Sequence, residues 1–244
     1  MTIKDEIYKD NYFINNPVKF YVNPKKFRDS LVAVVEVLKI FLAKLGLLKW
    51  SFNERLIERP FVFQNLPKSG RVLDIGCSDS IMPIEIAGLG YETYGNDPRG
   101  YPFSYPGFKF IKGDALKLNF PERYFDCITC ISVLEHVGLS MDYSGQISGR
   151  KDKMLAEKIK KMLKKKGKFI ITLPFGTKRV LENQHTRIYD SEEIKLLFSG
   201  FKKLEERYFY QKGSYWIEST AANLEKMTRS KFEETVAMFV FVKS

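Results

Sequence analysis

A chain of 244 residues, 44% hydrophobic and 28% charged, is long enough to bury one substantial core, and its ordinary composition excludes extended disorder, low-complexity fibres and repeat solenoids. Its formal net charge of +11 favours contact with something anionic, be it nucleic acid, a membrane surface or a phosphorylated compound, without choosing among them. Three cysteines exclude a disulfide framework, and no charged-then-apolar leader opens the sequence, so the expected setting is a reducing cytoplasm, with peripheral membrane contact left open.

The first predicted element is LVAVVEVLKIFLAKLGLLKW (31–50). Glu36, Lys39 and Lys44 interrupt it, and at 3.6 residues per turn they share one side with Ala33 and Ala43. The valines, leucines and Phe41 take the other side, which predicts an amphipathic helix rather than a membrane span. Its apolar face suits packing on the rest of the chain, a dimer contact or a membrane surface. Residues 1–60 are accordingly expected as an N-terminal helical extension and 61–244 as the main domain.

Short apolar strands then alternate with helical stretches. Strands are expected at 71–75 (RVLDI), 91–96, 108–111, 125–132 (FDCITCIS) and 168–173, and helices at 80–88, 151–165 and 191–199. The last helix starts with Asp190 and Glu193 at capping-box spacing and stops before Gly200. The lysines at 158, 160, 161, 164, 165, 166 and 168 are expected as a solvated helix end, where cations complement the dipole. Cys127 and Cys130 form a C-x-x-C, but residues three apart on a strand face opposite sides; core thiols are expected, and no metal site. Strand and helix in alternation imply an α/β fold with a doubly wound, mostly parallel sheet. LEERYFYQ and VAMFVFVKS follow without a strong helix between them and are expected to add an antiparallel pair at one edge.

In such a sheet, ligands bind beyond the carboxyl ends of the strands, near the switch in strand order. At those ends lie Asp74 and Gly76, then Asp97, then Asp114, then Ser132 to His136. This ordered set resembles the class I S-adenosylmethionine-dependent methyltransferases, over about residues 70–176. The resemblance is to the methyltransferase type 11-like, glycan-cluster-associated subset, and it implies a Rossmann-like fold with S-adenosyl-L-methionine as cofactor. The family pattern after the first strand is an acidic residue, any residue, then Gly-x-Gly-x-Gly. Here it reads Asp74, Ile75, Gly76, Cys77, Ser78, Asp79, Ser80, with serines where two glycines would stand.

The resemblance implies cofactor contacts from Asp74, Gly76 and Cys77 in this loop and from Asp97 with its neighbour Pro98. The Asp97 carboxylate, 23 residues after Asp74, would accept from both ribose hydroxyls. Asp114 and Ala115 are implied at the adenine, and Ser132 and Glu135 at the methionine part, with His136 as a wall residue. A nicotinamide dehydrogenase would instead need G-x-G-x-x-G at this loop for its pyrophosphate; the methyl donor has no phosphate to cradle.

Methyl transfer from a sulfonium is an in-line displacement that depends mainly on proximity and alignment. If the acceptor is a hydroxyl, a positioned base helps, and histidine has the suitable pKa. The segment LPFG…HTRIYD resembles the subset associated with glycan and cell-envelope biosynthesis, and points to His185 as candidate base with Arg187 and Tyr189 contacting substrate. An exposed loop histidine beside a helix start is the plain alternative. Trp216, in GSYWIES, is expected to cap an acceptor pocket. The expected activity is methyl transfer to a small-molecule or glycan acceptor at oxygen, since SVLEHVG stands where amino- and base-methylating relatives carry an N-P-P-[FY]-type tetrapeptide. An RNA acceptor, prompted by the charge, and a non-catalytic binding module stay open as alternatives.

Overall fold

The computed structural model describes residues 53–78, 80–139, 150–181, 186–227 and 234–243. The expected helix at 31–50 and the candidate base His185 lie outside the described residues. Among the described residues, no helix is long and apolar enough to cross a membrane.

The first described element is helix α1 (Arg55–Asn65), which runs through position 60/61, where the main domain is expected to begin, and buries Glu58, Phe61 and Val62. Strand β1 (Arg71–Ile75) follows, then α2 (Met82–Gly88), β2 (Glu92–Asp97), β3 (Phe108–Lys112) and β4 (Phe125–Ile131). After α3 (Lys151–Met162) come β5 (Leu163–Pro174), a hairpin of β6 (Arg179–Leu181) and β7 (Thr186–Ile188), and α4 (Ser191–Leu197). The chain closes with β8 (Phe201–Lys212), β9 (Tyr215–Ser219), α5 (Ala221–Lys226) and β10 (Thr235–Lys243).

Eight strands form one sheet in the order β3-β2-β1-β4-β5-β10-β8-β9. The first five pair in parallel. β10 is antiparallel to both β5 and β8, and β9 is antiparallel to β8. The expected antiparallel pair forms between β8 and β10, and the structure adds β9 outside it, so that β10 is an interior strand and β9 the edge. The cause is legible in its side chains. Seven consecutive residues from Thr235 to Phe241 are buried, which suits a strand covered on both faces.

Helices cover both faces. Leu155 and Ile159 of α3, Ile194 and Leu197 of α4 and Leu224 of α5 pack with Leu73, Cys130, Phe169, Ile171 and Phe239. On the other face Phe61 and Val62 of α1 and Met82 and Ile86 of α2 pack with Val72, Cys127, Ile170 and Met238. The two thiols of the C-x-x-C thus enter opposite core layers, as alternation along a strand requires.

The lysine run departs from expectation. α3 stops at Met162, and Lys164, Lys165, Lys166 and Lys168 belong to β5. There the pairing with β4 slips between Phe125 and Cys127, and Lys166 takes φ 62°, so the extra residues are absorbed in a bulge. Lys164 Nζ lies 2.8 Å from both Asp126 oxygens, and Lys168 Nζ donates to Asn65 O at 2.8 Å. Tertiary partners for the ammonium groups replace the helix dipole as the stabilising element.

A chain of charges anchors the β6–β7 hairpin. Asp152, fully buried, meets Arg150 at 3.1 Å and Arg187 at 3.3 Å, and Arg150 continues to Glu193 at 2.6 Å. Glu193 also accepts from Lys178. The expected capping box is half formed: Asp190 accepts from Glu193 N at 2.8 Å, but the Glu193 side chain is committed to this network. Removing one member of a buried pair leaves an uncompensated charge and costs roughly 3–5 kcal/mol. Asp152→Ala should therefore lower the melting temperature by on the order of 10 °C in a thermal melt, whereas Lys203→Ala, which breaks an exposed pair with Glu206, should move it by about a degree or less.

Candidate functional site

The chain leaves β1 toward β2 and β3, then crosses back to β4 on the other side of β1. That reversal opens a crevice over the carboxyl ends of β1 and β4.

The first wall is the turn after β1. Gly76 has φ 79°, and a Cβ there would fall 2.2 Å from Val133 Cγ2. Glycine is required twice over, by the left-handed backbone and by the approach of the loop after β4. Among the described residues of this turn, only Gly76 has a positive φ. The missing glycines are therefore not needed for the path the backbone takes. Ser78 Oγ donates to Gly100 O, and Ser80 Oγ accepts from Met82 N at 3.1 Å, so the serine hydroxyls pin the loop. The Cys77 side chain is buried against Gly95, and burial pushes its thiol well above the ordinary range.

Asp97 ends β2 and is buried, while Pro98 beside it is exposed. Its Oδ2 accepts from Ser78 N at 3.2 Å and its Oδ1 from Arg99 N at 2.9 Å; the Arg99 guanidinium reaches Oδ1 and Oδ2 at 3.2 Å each. Burial raises this carboxyl, but those donors outweigh it and hold Asp97 below the usual carboxylate range. Tyr101 hydroxyl donates to Ser80 O at 2.7 Å, and its ring stacks on Phe110.

Asp114 caps a 3-10 turn (Ala115–Lys117), accepting from Leu116 N at 2.9 Å, and stays exposed at the mouth of the crevice wall behind β3; Ala115 is half-buried. Asn96 ties this corner down by donating to Ile111 O and Gly113 O, both at 2.9 Å. Asp74 lies deeper. It accepts from Thr129 Oγ1 at 2.6 Å, and burial pushes its carboxyl up to about 7.

The second wall is the segment after β4. Ser132 adopts φ 51°, a left-handed conformation that a serine holds only under constraint. The constraint is visible: Ser132 N donates to Thr172 O and to Thr172 Oγ1, both at 3.1 Å, and Ser132 Oγ donates to Glu58 at 2.7 Å. Ser132 is thus held by protein partners through both its backbone and its hydroxyl. Glu135, in a 3-10 turn (Leu134–His136), is buried, and its Oε2 has no hydrogen-bond partner among the described residues. Burial pushes its carboxyl up to about 8. His136 is half-exposed with Nε2 3.9 Å from Glu135 Oε1.

Two further charged residues reach this wall from α1. Glu58, fully buried, accepts from Thr172 and Ser132 and from Arg55 Nη1 at 2.7 Å, and Arg55 Nη1 also reaches Ile131 O at 3.3 Å. Neither residue is expected at the site from its motif context. The signal is present, because Glu58 falls on the same helical face as Phe61 and Val62, where a charge demands a partner.

Arg187, Tyr189 and Trp216, expected to contact substrate, are each engaged by protein partners in this structure. Tyr189 is fully buried, with its hydroxyl on Leu134 O at 3.2 Å and Asp152 at 3.4 Å. Arg187 is spent on Asp152 and on Val137 O at 3.3 Å. Both fasten β7 to the 3-10 turn that carries Glu135, so they position the wall rather than touch a ligand. Trp216 lies on edge strand β9 and packs into the core layer of α1 and α2. The reason is common to all three: aromatic and guanidinium side chains near a loop satisfy packing and buried charge before they serve a ligand.

A family model described as a methyltransferase domain matches residues 50–202. No curated protein sequence matches the chain. Among solved structures, a SAM-dependent methyltransferase from Methanosarcina mazei aligns at 14% identity and TM-score 0.53, covering 80% of this chain and 99% of its own. The 1,6-didemethyltoxoflavin-N1-methyltransferase of Burkholderia thailandensis, solved with its substrate and S-adenosylhomocysteine, aligns at 14% identity and TM-score 0.55, covering 91% of this chain and 93% of its own. A Haemonchus contortus phosphoethanolamine N-methyltransferase, solved with phosphomonomethylethanolamine and S-adenosylhomocysteine, aligns at 15% identity and TM-score 0.53, covering 79% of this chain and 53% of its own. These likenesses establish the fold; the family match spans most of the chain and includes every wall of the crevice. The chain belongs to the class I S-adenosylmethionine-dependent methyltransferases.

Proposed function

We propose that this methyltransferase acts on a small-molecule acceptor, a saccharide or other polyhydroxylated compound, at oxygen, with its donor laid across the crevice just described. The observation that carries the donor placement is the unpartnered Oε2 of Glu135, buried at the end of β4 within electrostatic reach of Glu58 and Arg55. A buried carboxylate oxygen without a donor is costly unless a ligand completes it. The amino-acid end of S-adenosylmethionine carries an ammonium and a carboxylate, which match Glu135 and Arg55 in sign. Asp97 takes the ribose, Asp114 the adenine, and the backbone of Gly76 and Cys77 lies along the donor.

Bound there, the donor supplies a methyl group already activated on a sulfonium. The chain supplies placement, and well-oriented partners gain effective molarities of roughly 10⁵ M or more. His185 is the proposed base for an acceptor hydroxyl.

The acceptor class rests on the resemblance of LPFG…HTRIYD to the glycan-associated subset. A broad groove lined by Tyr210, Lys212, Glu218 and Thr220 among others lies between β8, β9 and α5, with β5 and β10 between it and β4. The Burkholderia and Haemonchus neighbours act on small molecules, which supports the size class, although their names specify nitrogen. The choice of oxygen rests on SVLEHVG at the position of the N-P-P-[FY]-type tetrapeptide.

Calorimetric titration with S-adenosylhomocysteine should show Asp97→Ala weakened at least about tenfold, the loss of charge-assisted bonds to two hydroxyls. Unchanged binding would remove Asp97 from the ribose. Label from methyl-tritiated S-adenosylmethionine should appear in saccharides or lipid-linked glycans; label in RNA alone would overturn the acceptor class. A third measurement concerns Glu135. Its carboxyl sits at about 8 in the folded chain against an ordinary 4.5, so the fold retains a proton that the unfolded chain has lost across that interval. Stability should then decline as pH rises from about 4.5 to about 8. Glu135→Gln removes this term, and its melting temperature should exceed that of the parent by a margin that widens from pH 5 to pH 9; a constant margin would place the proton elsewhere.

A further inference from the structure

We infer that Arg99 competes with the donor's ribose for Asp97, so that the site carries its own placeholder and the strength of the Arg99–Asp97 pair sets donor affinity. The inference rests on the proposed assignment of Asp97 to the ribose.

The geometry is specific. A carboxylate holds two hydroxyls of a ribose by offering one oxygen to each. At Asp97 the guanidinium already spans both, with Nε on Oδ1 and Nη2 on Oδ2 at 3.2 Å each. Two backbone donors, Ser78 N on Oδ2 and Arg99 N on Oδ1, occupy further lone pairs. A carboxylate has about four acceptor positions, and these contacts fill them. The backbone donors are fixed by the loop, so the ribose can gain its two bonds only where the guanidinium gives way.

The Arg99 side chain is 48% exposed while that of Asp97 is 3% exposed, so the guanidinium has solvent to turn into when the ribose arrives. Ser78 N and Arg99 N still donate to Asp97 when the side chain leaves. A half-exposed ion pair is weak enough to be displaced and strong enough to register in affinity. The fork also matters: a lysine at 99 would bring a point charge without spanning both oxygens.

Titration of the full chain with S-adenosylhomocysteine tests this. Arg99→Ala should bind about two- to fivefold tighter than the parent, the range of an exposed pair. Arg99→Lys should fall between the two. Raising ionic strength from about 0.05 M to about 0.5 M should tighten binding to the parent by screening the pair, and should tighten binding to Arg99→Ala less. In an Asp97→Asn background the gain from Arg99→Ala should vanish. Binding by Arg99→Ala that is equal to or weaker than the parent, or a gain that persists with Asn at 97, overturns the competition. These outcomes separate from the ribose assignment: Asp97→Ala with parental affinity sinks that assignment, whereas weak binding by Asp97→Ala with no gain from Arg99→Ala sinks only the placeholder. Thermal melts of each variant establish that it is folded, which the exposure of Arg99 leads one to expect.

Discussion

The carboxyl end of the sheet is organised by one close approach, the backbone of Gly76 against the side chain of Val133. No other residue type fits, because a Cβ at 76 would overlap Val133 at 2.2 Å in a conformation that already disfavours one. With that approach in place, Gly76 N reaches Asn96 O at 2.7 Å and Ser78 N reaches Asp97 at 3.2 Å, so the turn after β1 is fastened to β2. The loop after β4 is drawn over the same point and delivers Glu135 to the crevice. The crevice residues at the ends of three strands therefore depend on one missing Cβ.

Around that point the molecule concentrates buried charge. Glu58, Asp74, Asp97 and Glu135 are all buried near strand ends, with Arg55 and Arg99 at the margins. Their treatment differs from that of Asp152. Asp152 is paired with two arginines, and its network fastens a hairpin. Glu135 keeps an oxygen without a partner among the described residues and Asp74 accepts from Thr129, and burial pushes both carboxyls up toward neutrality. Among the described residues Glu85 on α2 also keeps one buried oxygen without a partner, but its other oxygen is paired with Arg59, whereas Glu135 lies at a strand end where the fold places ligands.

The positive charge finds a structural use as well. Lys158, Lys164 and Lys168 each have a defined tertiary partner, on Leu116 O, Asp126 and Asn65 O respectively. A net charge of +11 therefore does not translate into a continuous binding face from the lysine run alone.

Much of this was legible from the chain. RVLDI is apolar, five residues long and followed by glycine, and it forms β1 with the predicted bounds. Alternation set Cys127 and Cys130 on opposite faces, and the order of Asp74, Asp97, Asp114 and Glu135 marked the strand ends. These are local properties, decided by periodicity and by what a turn tolerates. Other features were decided only in three dimensions. VAMFVFV reads as a strand wherever it lies, and its place between β5 and β8 depends on which neighbours can cover both its faces. Arg187 and Tyr189 look like loop residues free for a substrate until Asp152, more than 30 positions away, is seen to claim them. Glu58 meets Ser132 and Thr172 across 74 and 114 residues. The sequence by itself determined the family, the parallel core of the sheet and the carboxylates at its strand ends, because each depends on residue type and short-range spacing. Burial and the long-range charge pairing of Glu58 and Asp152 came from the tertiary structure, because they depend on contacts between residues that spacing along the chain does not relate. The Arg99–Asp97 contact is local in sequence, and the tertiary structure decided only that its carboxylate is buried while its guanidinium is half-exposed.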